Sequence, residues 1–327
     1  MNVLVLTNWK RDYMSHRQNI GTLERLSKYC NINIYSNEEI EPYILGISSR
    51  HPIIDNYLYE IIEKHNPDIV ICYGAMGFID IGTPFKHISR CKICIEPDYH
   101  NFFGKEKWYR DNGFNYMFLR NGNNTDKIGI PSVWWPWSAD ENEFFTRNEP
   151  RRNIIGFAGS SVHELYRIRR NARDMLFAHH LLEDKKKTIM ASECADGMWK
   201  GKWTDQGKYQ EYLRSVVAIL TSTENRGPFA KTFEAMASGT AVLSSPIINK
   251  ELLFGNKKCY FEYKPDCSDI VKVARDILNN PKWVQEVTTN AKEEFLKKHT
   301  TEKRVKELYD NLIRIEEARE PERKWGI

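Results

Sequence analysis

The sequence predicts an α/β protein made of two doubly wound domains in tandem. Three observations carry that expectation. Short apolar runs recur along the chain, segments of helical spacing separate them, and a polar, charged stretch at 146–152 divides the series in two. Apolar runs without strict alternation are strands buried on both faces, as in a parallel sheet covered by helices. Their alternation with helices is the pattern of a doubly wound fold.

In order, residues 3–7 form a first strand, followed by a polar loop and a helix through Leu23 and Leu26. Strands follow at 32–35, 69–73, 92–95 and 116–119, with a helix at 53–65 that carries Ile54, Leu58, Ile61 and Ile62 on one face. After the polar stretch, residues 154–158 open the second series. A helix is expected at 164–183, strands at 188–191, 216–221 and 241–244, and helices near 268–279, 281–298 and 301–318. The expected domains are 1–148 and 149–300, with 301–327 a C-terminal helix and tail packing back on the first domain.

With 41% hydrophobic and 28% charged residues, the chain folds rather than remaining disordered. Residues 1–150 hold 16 Lys and Arg against 19 Asp and Glu, and the remainder 32 against 25. The basic second half is compatible with a phosphate-bearing ligand, although solvated helix faces account for most of that charge. No apolar stretch is long enough to span a bilayer, and the N-terminus has no signal-like segment. Seven scattered cysteines are read as reduced thiols of a cytoplasmic protein. Cys91 and Cys94 have the spacing of half a zinc knuckle, but no matching pair follows and they lie in an apolar run, so they are read as strand residues.

The chemistry is concentrated in 223-TENRGPFAKTFEAMASGTAVLSSP-246. Gly227-Pro228 starts a helix here, with the proline at the first helical position, where its missing N–H costs nothing. The amides of Phe229, Ala230 and Lys231 are then free at the positive end of the helix dipole, a site suited to a diphosphate. Lys231 and Glu234 share one face, while Ala230, Phe233 and Ala237 form the buried one. Gly239 ends the helix. A carboxylate one turn below a phosphate site would accept two hydrogen bonds from a ribose diol. By spacing alone, Lys231 and Glu234 equally suit a surface ion pair.

The segment Lys231-Thr232-Phe233-Glu234-Ala235-Met236-Ala237-Ser238-Gly239 resembles the nucleotide-sugar signature of group-one glycosyltransferases of GT-B fold, closest to their CgeB-like branch. Other points of resemblance follow in order: Asn66-Pro67-Asp68, the Pro136, Ala139-Asp140 and Phe144 series, and Gly156 to Ser160 followed by Tyr166-Arg167-Ile168-Arg169. The resemblance implies two Rossmann-like domains facing a cleft. It implies a metal-independent transferase moving a sugar from a nucleotide-diphosphate donor to an acceptor hydroxyl, with retention. A UDP-sugar comes first as donor, a GDP- or ADP-sugar second, and no cofactor is required.

In that comparison Gly159, Ser160, Tyr166, Arg226, Phe229, Ala230, Lys231, Thr232 and Glu234 bind the donor. Arg167 or Arg169 stabilises the leaving diphosphate. The family's first acid, eight positions before Glu234, falls on Arg226, so Glu224 is the substitute candidate. His16, Arg17, Asp98 and His100 stand on the acceptor side, with His100 a candidate base oriented by Asp98. The alternatives are a sugar-nucleotide-binding protein without transferase activity and a sugar-nucleotide epimerase of the same fold.

There is no Asp-x-Asp, Walker loop or G-x-G-x-x-G. This argues against metal–diphosphate, ATPase and dehydrogenase readings. The acceptor stays open among a glycan, a lipid-linked sugar, a small molecule and a modified nucleic-acid base; without a concentrated Lys/Arg block the last is allowed but not indicated. Trp134, Trp135 and Trp137 beside Pro136 are read as core or hinge packing rather than as a peripheral membrane surface.

Overall fold

The protein is described by a computed structural model that covers residues 1–7, 14–36, 55–74, 83–96, 106–120, 129–159, 166–184, 192–193, 200–201, 206–224 and 227–325. Two compact units are present, residues 1–136 with 302–327 and residues 137–301.

The first unit is a six-stranded parallel sheet in the order β2–β1–β3–β4–β5–β6. Its strands are β1 (Asn2–Thr7), β2 (Asn31–Ser36), β3 (Ile69–Tyr73), β4 (Cys91–Glu96), β5 (Tyr116–Leu119) and β6 (Ser132–Trp134). Alternate side chains of these apolar runs enter two separate cores. Leu4, Val70 and Cys94 pack with α2 (Asp55–His65), α3 (Thr83–Lys86) and α4 (Glu106–Asp111). Val3, Ile69 and Cys91 pack with α1 (Met14–Leu26) and with Val305, Leu308 and Leu312 of the C-terminal helix, Thr301–Trp325. Cys91 and Cys94 therefore point to opposite faces, a geometry that two ligands of one metal could not have. Trp135 is fully buried and donates its indole N–H to the Arg304 carbonyl at 2.9 Å; Trp137 is buried as well.

The second unit has five parallel strands in the order β13–β12–β11–β7–β8. They are β7 (Arg152–Phe157), β8 (Leu182–Asp184), β11 (Val216–Leu220), β12 (Ala241–Ser244) and β13 (Phe261–Glu262). β9 (Ser192–Glu193) and β10 (Lys200–Gly201) form a separate antiparallel pair. The helices are α5 (Arg167–Ala178), α6 (Gln206–Ser215), α7 (Ala230–Ala237), α8 (Lys250–Phe254), α9 (Ile270–Asn279) and α10 (Pro281–Glu294), the last continuing as a π-helical turn to His299. Ile155, Phe157, Leu220 and Leu243 bury one sheet face against Leu176, Ile270 and Val287 of α5, α9 and α10.

Both sheets run outward from an internal first strand. In the first the winding reverses between β1 and β3, in the second between β7 and β11. Open α/β sheets bind ligands beyond the carboxyl ends of such a pair.

Several local expectations change. The helix expected at 164–183 ends at Ala178, because His180 takes a left-handed φ of 56° and the chain turns into β8. The strand expected at 188–191 lies outside the described residues. The polar stretch 146–152 falls within the second unit. Its Arg151 donates to the carbonyls of Leu213, Val216 and Ser238 and to Thr240 Oγ1, so it joins the ends of α6 and α7 instead of projecting into water.

Candidate functional site

Pro228 does not occupy the first position of α7, contrary to the expectation. Phe229 is extended (φ −85°, ψ 166°) and serves as N-cap, so the helix starts at Ala230. The physical reason lies just upstream: Gly227 holds φ at 149°, a conformation open to glycine, and the chain reaches Phe229 still extended. Among the described residues no side-chain hydrogen bond caps the helix start. At the other end the amides of Gly239 and Thr240 donate to Met236 and Ala235, the two bonds of a Schellman stop, with Gly239 at φ 68°. The buried surface of α7 is wider than one stripe. Thr232 through Ala237 are all buried, Glu234 included, whereas Ala230 is half-buried.

Glu234 is only 6% exposed, which rules out a solvated surface ion pair. Its Oε2 accepts a 2.7 Å hydrogen bond from the phenol of Tyr209 on α6. Burial raises its carboxyl above the ordinary value, the Tyr209 bond and Lys231 oppose that rise, and Glu143 adds to it. Lys231 sends its ammonium to the Ala158 carbonyl, just past the end of β7. Burial and the Arg169 guanidinium pull Lys231 down to about 7, against the opposing attraction of Glu234.

Gly159 makes this approach possible. A Cβ there would lie 2.9 Å from Lys231 Nζ and 3.7 Å from Arg169 Nη1. The two cations thus converge on one bare stretch of backbone at the β7 end. Arg169 also lies over the rings of Tyr166, at 4.5 Å, and Phe229, at 5.3 Å, and its Nε donates to Ser222 Oγ at 3.2 Å. Among the three arginines of this helix start, Arg169 is the one held in the cluster, and Arg167 is exposed.

Glu224 sits just beyond β11 in a left-handed conformation, φ 48°. Its carboxylate accepts from the amides of Ile168 and Arg169 at 3.1 and 2.9 Å and from Ser222 Oγ at 2.7 Å. It therefore caps the start of α5, a favourable place for a negative charge. Thr232 is buried in α7, with its amide bonded to the Phe229 carbonyl.

Of the other expected site residues, Ser160, Arg226, Asp98 and His100 lie outside the described residues. The side chains of His16 and Arg17, on α1, do so as well. Sequence reasoning missed Tyr209, Ser222 and Glu143. A buried tyrosine on a helix preceding an apolar strand was the available signal, and it reads equally as core. Among the described residues no group of three or more His, Cys, Asp or Glu is placed to hold a metal ion. No described helix is long and apolar enough to cross a membrane.

Two parallel α/β units with a cationic, glycine-backed site at a sheet's reversal point define the class: the fold is that of the GT-B glycosyltransferases. The family model described as "Glycosyl transferase-like" matches residues 184–310. No curated protein matches the chain. Among solved structures it is similar to sucrose-phosphate synthase from Thermosynechococcus elongatus, at 10% identity and TM-score 0.67, over 97% of this chain and 100% of that one. It is also similar to Anabaena Alr3699/HepE in complex with UDP and glucose, at 9% identity and TM-score 0.64, over 95% and 99%. A third is T4 phage BGT in complex with its UDP-glucose substrate, at 11% identity and TM-score 0.58, over 95% and 98%.

Proposed function

We propose that the protein is a metal-independent glycosyltransferase of the CgeB-like branch. It would move a sugar from a UDP-sugar to an acceptor hydroxyl with retention of anomeric configuration. The observation that carries this reading is the convergence of Lys231 and Arg169 on Gly159, beside the open N-terminus of α7 and one turn from Glu234.

The donor is assigned to residues 149–300. Its diphosphate lies at the Phe229–Lys231 helix start, where two side-chain cations and the helix dipole meet the charge that grows on the leaving group. Those groups supply the positive charge that a divalent cation supplies elsewhere, which supports metal independence. Gly159 and Ser160 bring backbone close to the phosphates, and Glu234 accepts from the ribose hydroxyls. UDP is favoured because two of the similar structures are complexes with UDP or UDP-glucose. The acceptor is assigned to residues 1–148, on the side of His16, Arg17, Asp98 and His100, and the protein to the cytoplasm. Retention is supported by the resemblance, in which the departing phosphate assists and no enzymic base is needed.

The test is product analysis with UDP-, GDP- and ADP-sugars against a panel of hydroxyl acceptors in chelator, reading the new anomeric linkage by proton NMR. Transfer from the UDP-sugar with retention is expected. Binding without transfer or donor hydrolysis would replace this reading with a sugar-nucleotide-binding protein. Conversion of the donor alone would replace it with an epimerase.

A further inference from the structure

We propose that Tyr209 is a positioning residue for donor recognition: its phenol anchors the Glu234 carboxyl and aims it for the ribose diol. The inference rests on the donor-site reading of Glu234 given above.

Tyr209, Tyr212 and Leu213 form the buried stripe of α6, at 2%, 5% and 0% exposure. At such a position the hydroxyl is the anomaly, because phenylalanine would fill the same space without a polar atom to satisfy. Each tyrosine of the stripe has its own task. The Tyr212 hydroxyl accepts from the Phe157 amide at 3.0 Å and donates to the Glu183 carbonyl at 2.8 Å, which ties α6 to the sheet. That role is structural, and it explains why Gly156 carries no side chain: a Cβ there would meet the Tyr212 oxygen at 2.8 Å.

The Tyr209 hydroxyl instead goes to Glu234 Oε2 at 2.7 Å. Its ring meets Phe144 edge-on at 6.1 Å, a contact that supports the ring plane from behind. The charged and titratable groups around Glu234 include Lys231 on its own helix, Tyr209 from α6, and Glu143 from the segment leading to Phe144. Burial and Glu143 favour the protonated acid, while Tyr209 and Lys231 favour the carboxylate. Burial and Glu234 itself hold the Tyr209 phenol well above its ordinary value, so it remains a donor at any working pH. A carboxyl group that accepts hydrogen bonds from two hydroxyls does so best when ionised, as an acceptor only. The phenol therefore opposes the rise that burial imposes at this site.

The experiment compares a nucleotide-sugar with its 2′-deoxyribose counterpart across the acidic range, using wild type, Tyr209→Phe and Glu234→Gln. In Tyr209→Phe the ribose donor is expected to bind about tenfold more weakly, about 1.4 kcal/mol. Its acid limb moves to higher pH, the deoxyribose donor loses little, and kcat at saturation holds. Glu234→Gln has no carboxyl to titrate, and adding Tyr209→Phe to it produces no further shift of that limb. If the isosteric substitution impairs folding, 3-fluorotyrosine at position 209, a stronger donor, replaces it and should move the limb to lower pH.

An unshifted limb together with a wild-type ribose preference in Tyr209→Phe overturns the inference, whatever happens to its melting temperature. A wild-type enzyme that does not distinguish ribose from deoxyribose overturns it too, by removing the donor-site reading beneath it.

Discussion

If the donor diphosphate sits at the start of α7 as proposed, Lys231 is expected to make its binding a proton-uptake reaction. In the free protein, burial and Arg169 bring its ammonium down to about 7. A diphosphate at the start of α7 adds negative charge beside the amine and restores the charged form. Because the bound state has the higher pKa, affinity is full below about pH 7 and is lost as pH rises above it. Where the bound lysine stays charged, the penalty for charging it grows to about 1.4 kcal/mol one pH unit above the free value, and affinity falls about tenfold for each further unit.

The assay is isothermal titration with a nucleotide-sugar, whose diphosphate does not titrate in this range. It is run at pH 8 in buffers of different ionisation enthalpy. Close to one proton taken up per donor is expected, and Lys231→Met should abolish both the uptake and the pH slope. Flat affinity from pH 7 to pH 9, with enthalpy independent of buffer, would refute the reasoning.

Three further outcomes are expected. Gly239→Ala must place an L-residue at φ 68° with its Cβ 2.9 Å from Thr146 Oγ1. The cost is about 2–3 kcal/mol, measured by denaturant titration. Arg151→Met leaves the carbonyls at the ends of α6 and α7 without their cationic donor and costs about 2–4 kcal/mol, read the same way. Glu224→Ala loses the cap on α5, roughly 1–2 kcal/mol of stability. Its sugar selectivity should stay unchanged at a temperature where it is folded, and altered selectivity would return Glu224 to the role of a sugar-contacting acid.

Much of the fold was legible because parallel strands buried on both faces read as unbroken apolar runs. β3 and β5 fall where that signal places them. The α5 boundary was less so, since Leu181 and Leu182 continue a helical spacing past Ala178. What ends the helix is the left-handed turn at His180, closed by the Leu181 amide on the Leu176 carbonyl. Proline placement misled for a related reason: a Pro two residues before a helix suits its N′ position as well as it suits N1, and the extended Phe229 decides between them.

At the candidate site, Lys231, Glu234 and Gly239 were readable because each marks a helix position with its own chemistry. Arg169 was one of three equivalent arginines in the sequence, and only the fold shows which of them faces Gly159. Arg151 looked like solvated linker charge beside Pro150, since the carbonyls it binds come from residues 62 to 87 positions away. Tyr209 was hidden for the same reason: its partner is on another helix.

In the proposed function Glu234 and the α7 start bind a nucleoside diphosphate-sugar. Calorimetric titration of wild type and Glu234→Ala with UDP-glucose tests it most directly. Saturable one-to-one binding by wild type is expected, weakened at least about tenfold in Glu234→Ala, the loss of charge-assisted hydrogen bonds to the ribose. Equal binding by the two proteins, or none by wild type, would contradict it.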